Sequence, residues 1–320
     1  MDDSTPAASP SRRVASIGVY VCTHRRNGPL RRVLDSLADA AVRVQPDVEV
    51  AVVVVDDNPD GRAKEVVDAF DGASFLRGLH YRYSGAQNIS KARNLGLESA
   101  MELADWVAMT DDDEVVSPQW LAALAEMAER PGVDAVTGPV ELRYPPGTPR
   151  WFTEQPFDDI LVAEPQPDGA RVEVCSTGNS MLRASFLREH PDIRFRSDLG
   201  TVGGEDMVFY RTAVAAGLEA RFASAALCWC EQPSERTTYR SIIRGCWWMG
   251  NTEYVTSIET GEAKPFRLAL RGGKKLAVAV LRPVRRLAAQ QNPQLRFAGA
   301  SVARALGTLV GLVGVRVEHK

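Results

Sequence analysis

The stretch VEVAVVVVDD at residues 48–57 leaves this chain few folds to choose from. From Val50 to Val55 every position is apolar, so neither face of such a strand can meet water. That is how a parallel strand covered on both sides reads. Strand and helix patterns alternate around it. VASIGVYVC (14–22) reads as a first buried strand. PLRRVLDSLADAAVRV then sets Leu30, Val33, Leu34, Leu37 and Ala41 on one helical stripe, with Pro29 suited to the helix start. GRAKEVVDAF reads as a short helix and LHYRYS as a strand. ISKARNLGLESAMELA (89–104) is a helix, DWVAMT (105–110) a strand, SPQWLAALAEMAER (117–130) a helix and VDAVTGPVEL a further strand. This alternation predicts an α/β fold: a doubly wound, mostly parallel, Rossmann-like sheet with helices on both faces.

In such sheets a ligand lies beyond the carboxyl ends of the strands. Two acidic groups fall there. Asp56 and Asp57 end one strand, and MTDDDEVVSP ends another with Asp111, Asp112 and Asp113. Neighbouring carboxylates about 4 Å apart repel by about 4 kcal/mol at an effective dielectric of ~20. Either water solvates them, as in a loop capping the helix near Pro118, or a cation sits among them. Mg2+ commonly takes one or two protein carboxylates and completes its shell with substrate phosphates, which a D-x-D pair at Asp111 and Asp113 can supply. A carboxylate at Asp56 or Asp57 can accept from a pyrimidine ring N–H. VCTHRRN adds the hydroxyl of Thr23, the imidazole of His24 and the guanidinium of Arg25 at the end of the first strand. GAQNISKARNLG leads into a helix with Lys91 and Arg93 near its start, where phosphate is attracted.

Further along, RYPPGTPRWFTEQPFDD is expected to wrap the site as a loop, and STGNSMLRASFLREH reads as a turn and a helix. GGEDMVFYRTAVAAG (203–217) reads as a loop feeding a helix that Gly217 stops. EARFASAALCWCE looks like a strand, and TTYRSIIRGCWWMGNTEYV like a helix with an aromatic, Arg-bearing face.

These pieces, in this order, resemble family 2 glycosyltransferases of GT-A fold. The resemblance covers roughly residues 14–250. DDDE, GPV…PRW, TGN, GGED and CEQPSERTTYRSIIRG are similar to bacterial exopolysaccharide transferases of the succinoglycan glucosyltransferase type. It implies an inverting, metal-dependent transfer of one sugar from a nucleotide-diphosphate sugar, with UDP-hexose the commonest donor, to a hydroxyl acceptor in polysaccharide or glycoconjugate synthesis. Position by position, Asp111 and Asp113 match the pair that holds Mg2+ or Mn2+, and Asp112 the neighbour of the ribose. Asp57, with Asp56 beside it, matches the reader of the nucleobase. Thr23 and its neighbours match the first-strand nucleotide loop, and Arg93 with Lys91 the helix facing the phosphates. Asp206, with Glu205 beside it, matches the general base that takes the acceptor hydroxyl's proton; a plain helix cap is the alternative. The Gln-x-x-Arg-Trp motif of processive members is missing, which argues for single transfers. Arg244 is a candidate for diphosphate contact, and Trp247 and Trp248 for sugar stacking, with core packing as their alternative.

Two other classes stay open. A sugar-nucleotide nucleotidyltransferase would want a glycine run after the first strand, which CTHRRNGP lacks. A non-catalytic nucleotide-sugar-binding protein would be favoured by loss of an acid at 113 or 206, and both are present. No G-x-G-x-x-G follows the first strand, which disfavours a dinucleotide-dependent oxidoreductase.

Composition bounds the rest. A net charge of −3 offers no basic field for nucleic acid. Five scattered cysteines make no disulfide framework and suit a reduced compartment; Cys228 and Cys230 read as strand residues. Residues 1–13 are expected to form a disordered tail without a secretory signal. Residues 14–255 are expected to form the transferase domain and 256–320 a basic, apolar helical extension. In that extension FAGASVARALGTLVGLVGVRV (297–317) contains Arg304 and many glycines, so spanning a bilayer is disfavoured. Its two readings are a basic amphipathic pair on a membrane surface and a helical hairpin packed on the enzyme or a partner. The expected location is cytoplasmic, peripheral at the inner face of the plasma membrane if the first reading holds. The first reading also favours a lipid-linked saccharide as acceptor.

Overall fold

The structure is a computed structural model that describes residues 13–318. The tail expected over 1–13 therefore lies outside the described residues, except for Arg13.

The chain runs through β1 (Ser16–Thr23), α1 (Asn27–Val44), β2 (Glu49–Asp56), α2 (Ala63–Asp68) and β3 (Leu79–Tyr83). Next come α3 (Ile89–Leu103), β4 (Trp106–Asp111), β5 (Glu114–Val116), α4 (Trp120–Ala128), β6 (Ala135–Thr137) and β7 (Val140–Arg143). Short helices α5 (Arg150–Thr153) and α6 (Asp158–Leu161) lead to β8 (Arg171–Val172), β9 (Ser180–Arg183) and α7 (Ala184–Glu189). The remainder is α8 (Glu205–Ala215), β10 (Ala220–Phe222), β11 (Cys228–Glu231), α9 (Tyr239–Glu259), α10 (Pro265–Ala288) and α11 (Leu295–Gly311).

Two compact units interleave along the sequence. One takes residues up to Glu141, Pro165–Phe195 and Phe209–Trp229; the other takes Leu142–Glu164, Arg196–Val208 and the chain from Cys230. Helix α9 runs straight through residue 255, where a domain end was expected.

The first unit holds an eight-stranded sheet of order β3-β2-β1-β4-β9-β6-β10-β8. β3, β2, β1 and β4 are all parallel. β9 runs antiparallel to both β4 and β6, so the sheet is mixed beyond its first four strands. Side chains alternate faces along a strand. Ile17, Val19, Val21, Val50, Val52 and Val54 pack with Leu30, Leu34 and Leu37 of α1 on one side. Tyr20, Cys22, Val53 and Val55 pack with Ala92, Leu97 and Ala100 of α3 on the other. Both faces of the valine strand are covered, as its composition demands. Burying each such side chain contributes about 1.5–3 kcal/mol.

The run VDAVTGPVEL is not one strand. It divides into β6 and β7 at Gly138 and Pro139, because a Cβ at Gly138 would collide with the Ala226 carbonyl and Pro139 cannot donate to a ladder. EARFASAALCWCE likewise divides into β10 and β11, and β11 joins a second sheet of order β5-β11-β7. All five cysteines are free and buried.

In the second unit α11 packs along α9. A Cβ at Gly307 would collide with the Trp247 carbonyl, one at Gly250 with the Arg304 carbonyl, and one at Gly311 with the Tyr254 ring. Gly307 and Gly311 thus mark a close contact of α11 with α9, as the packed-hairpin alternative expects of this segment. α10 packs on α11 where Gly272 meets Leu309.

Candidate active site

Register aligns the carboxyl ends of three strands. Thr23 at the end of β1 pairs with Asp56 at the end of β2, and Cys22 pairs with Asp111 at the end of β4. The polar residues that the sequence places at strand ends therefore share one edge.

The aspartate triplet is held by cations and a hydroxyl. Thr23 Oγ1 donates to Asp112 Oδ2 at 2.8 Å. Arg26 Nη1 donates to Asp112 Oδ1 at 3.0 Å and to Asp113 Oδ2 at 2.8 Å. Arg93, from the first turns of α3, reaches Asp111 Oδ1 at 3.2 Å. Its guanidinium is buried and lies 5.9 Å from the centroid of Phe195. Burial works against the Arg26 charge, yet Asp112 and Asp113 outweigh it and hold the guanidinium above its ordinary range. Burial pushes the Asp112 carboxyl up to about 6, with Arg26 and Thr23 pulling against it. Under the triplet, burial and then the charges of Asp111 and Asp113 push Glu114 up to about 8. Thr110 Oγ1 donates to Glu114 at 3.2 Å. A Cβ at Gly178 of the TGN turn would meet the Glu114 carboxylate and force it to shift. Beside it the buried side chain of Asn179 accepts from Trp120 Nε1 at 2.8 Å and donates to the carbonyls of Pro139 and Ala226.

Asp56, which ends β2, and Asp57, which follows it, do different work. Asp56 is fully buried and accepts from the backbone N–H groups of Asn58 at 3.0 Å and Ala63 at 2.8 Å, and from Tyr81 Oη at 3.2 Å. It fixes the turn into α2. Asp57 accepts from Ser84 Oγ at 2.7 Å and from the backbone N–H groups of Ala86 at 2.9 Å and Asn88 at 2.7 Å. It thereby fixes the loop that starts α3. The exposed His24 ring lies 3.2 Å from the Asp57 carbonyl. Arg25 is exposed, in a left-handed conformation, 3.4 Å from Asn58 Oδ1. Lys91 is exposed in the first turn of α3.

The remaining candidates belong to the second unit. Gly203 and Gly204 take φ of +93° and +86°, the left-handed region that glycine alone enters readily, and they lead into Glu205 and Asp206 at the start of α8. Glu205 is buried; Asp206 Oδ1 accepts from the Met207 N–H at 2.8 Å. Trp248 Nε1 donates to the Val202 carbonyl at 2.7 Å, and a Cβ at Gly203 would collide with the Trp248 ring. A Cβ at Gly204 would collide with the Thr256 methyl. Trp247 is half-buried and Arg244 exposed.

Sequence reasoning passed over Arg26 and Glu114. Arg26 was visible only as one of two arginines after a strand, and Glu114 only as the fourth acid of a row.

The donor set at the triplet is entirely hard oxygen, which suits Mg2+ or Mn2+. Among the described residues no three His, Cys, Asp or Glu side chains are arranged to hold a metal by themselves.

The mixed α/β sheet, with its aspartate triplet at the carboxyl end of β4, is of the GT-A glycosyltransferase class. Residues 18–190 match the model of glycosyl transferase family 2, and residues 106–290 that of glycosyl transferase family group 2. Over 311 residues the chain is 32% identical to the succinoglycan biosynthesis protein ExoM of Rhizobium meliloti (strain 1021), across 94% of each. The chain belongs to glycosyltransferase family 2. Its fold resembles that of S. aureus TarS 1-349 in complex with UDP, with a TM-score of 0.52 and 16% identity over 94% of this chain and 92% of that one. It also resembles GalNAc-T7 with UDP, GalNAc and Mn2+, with a TM-score of 0.52 and 14% identity over 75% of this chain and 51% of that one.

Proposed function

We propose that this glycosyltransferase moves one hexose from a UDP-hexose to a hydroxyl of a saccharide acceptor, with inversion and with Mg2+ or Mn2+, during polysaccharide synthesis. The observation that carries the reading is the meeting of Thr23, Arg26 and Arg93 with Asp111, Asp112 and Asp113 at the ends of β1 and β4. The ExoM relative supports the polysaccharide. The UDP and Mn2+ of the structural neighbours support the donor and the ion.

Thr23 and Arg26 hold Asp112 in place, and buried Arg93 orients Asp111. The two guanidiniums bring positive charge to the edge where a diphosphate would lie. Asp111 and Asp113 would hold a divalent ion there, which when bound supplies neutralisation of the diphosphate as it departs. Asp57 orders the loop before α3 and is the base-reading candidate. Asp206 takes the acceptor hydroxyl's proton as that oxygen attacks the anomeric carbon.

The test is nucleotide release from a panel of nucleotide sugars in Mn2+ and in EDTA, with saccharide acceptors, lipid-linked ones included. The reading expects UDP release that EDTA abolishes and that Asp206→Asn lowers by about a hundredfold or more. Pyrophosphate release would instead identify a nucleotidyltransferase. Nucleotide-sugar binding with no release would identify a binding protein.

A further inference from the structure

Helix α10 has three distinct faces. Each residue advances about 100° around a helix, so Phe266, Leu270, Leu281, Val284 and Leu287 fall on one stripe. All are exposed, Phe266 at 72% and Val284 at 61%. Leu268, Gly272 and Ala279 fall on the opposite side and are buried. Between the two, on one flank of the stripe, stand Arg267, Arg271, Lys274 and Arg285, all exposed. The helix carries seven Lys and Arg and no Asp or Glu, and no acid occurs between Glu262 and Glu318. The packing of this element is thus complete on one side, while a second apolar stripe faces outward. Gly273, Ala277 and the exposed Val280 join the two ends of the stripe, and an exposed apolar stripe of this length on a protein surface marks an interaction site.

We infer that α10 lies on an anionic lipid surface, with its outer stripe inserted among the acyl chains and its basic flank at the headgroups. A helix with strong amphipathicity, a cationic flank and Phe and Leu on the other side suits the plane of the interface. Arg271 pairs with Glu262 and Lys275 with Glu253; anionic headgroups supply counter-charge to Arg267, Lys274 and Arg285 on the same flank. A second copy of the same helix would offer only more positive charge. No helix among the described residues is long and apolar enough to cross a membrane, so the contact is one of lying on the surface. Such a contact would hold the enzyme where a lipid-carried saccharide is presented.

The experiment is flotation of the full chain with vesicles of equimolar phosphatidylglycerol and phosphatidylcholine, and with phosphatidylcholine alone. Binding is expected to the first, weaker by about tenfold or more to the second and in high salt. The double variant Leu270→Ser/Val284→Ser, which alters only exposed positions, is expected to lose binding by about tenfold or more while its thermal midpoint stays unchanged. Arg267→Gln/Lys274→Gln/Arg285→Gln is expected to bind the anionic vesicles about tenfold or more weakly. No binding of the wild type to anionic vesicles would overturn the inference, as would equal binding by the apolar double variant. A dimer in sedimentation velocity that this variant dissolves, without vesicle binding, would overturn it in favour of a second copy. Vesicle binding is read without any nucleotide sugar, so its failure and the failure of the transferase reading are separate results.

Discussion

Arg26 Nη1 lies 2.8 Å from Asp113 Oδ2, and the same nitrogen reaches Asp112. This guanidinium answers why three aspartates can follow one another at a strand end: fixed positive charge offsets their repulsion. A bound divalent ion would serve the same carboxylates. Arg26→Gln is therefore expected to lower stability by about 1–3 kcal/mol and to gain more thermal stabilisation from Mn2+ than the wild type does. Thermal unfolding with and without Mn2+ checks it. Equal Mn2+ shifts in both proteins would speak against a shared role.

Asp56 and Asp57 are adjacent but separable. Asp56 spends its oxygens on Asn58, Ala63 and Tyr81, so Asp56→Asn should cost about 2 kcal/mol or more in denaturant unfolding. UDP affinity of the folded fraction should be unchanged. Asp57 is equally engaged by Ser84, Ala86 and Asn88, so Asp57→Asn should also cost about 2 kcal/mol, but in addition it should weaken UDP binding by about tenfold, measured by calorimetry in Mn2+.

Trp248 and the two glycines before Glu205 form a second pair of tests. Trp248→Phe keeps an aromatic ring against Gly203 but loses the bond to the Val202 carbonyl. If Trp248 positions the loop that carries Asp206, kcat should fall by about tenfold, with KM for the acceptor little changed. If it stacks on the acceptor, KM should rise instead. Gly204→Ala puts a methyl on a backbone at φ +86° and against Thr256, and should cost about 1–3 kcal/mol.

Glu114 gives a pH signature. Its carboxyl is raised from 4.5 to about 8 in the folded chain, so the folded state holds a proton that the unfolded state releases. Its contribution to stability is full below about 4.5 and is lost as pH rises through about 8. In EDTA, the wild type should lose stability between those values by a few kcal/mol more than Glu114→Gln, which does not titrate. Denaturant unfolding at several pH values measures this, and parallel profiles would contradict it.

Much of this architecture was legible because local pattern and burial agree. Val50 to Val55 could only be a strand covered twice, and Leu30, Val33, Leu34 and Leu37 could only be one helix face. What was not legible depends on partners distant in sequence. The break at Gly138 follows from the approach of Ala226, some ninety residues on. The antiparallel course of β9 is set by strands on both sides of it. Asp56 reads as a ligand-facing acid until Ala63 and Tyr81 are seen to consume it. The last two helices look alike in composition, yet Gly299, Gly307 and Gly311 of α11 press against α9 while Phe266, Leu270, Leu281, Val284 and Leu287 of α10 have no such floor.

The most direct test of the account is calorimetric titration of UDP into the wild type and into Asp111→Asn/Asp113→Asn, each in Mn2+ and in EDTA. The account predicts binding by the wild type in Mn2+ that falls by about a hundredfold or more in EDTA, and the same fall in the double variant with its fold intact. UDP binding of equal strength in EDTA, or in the double variant, would contradict it.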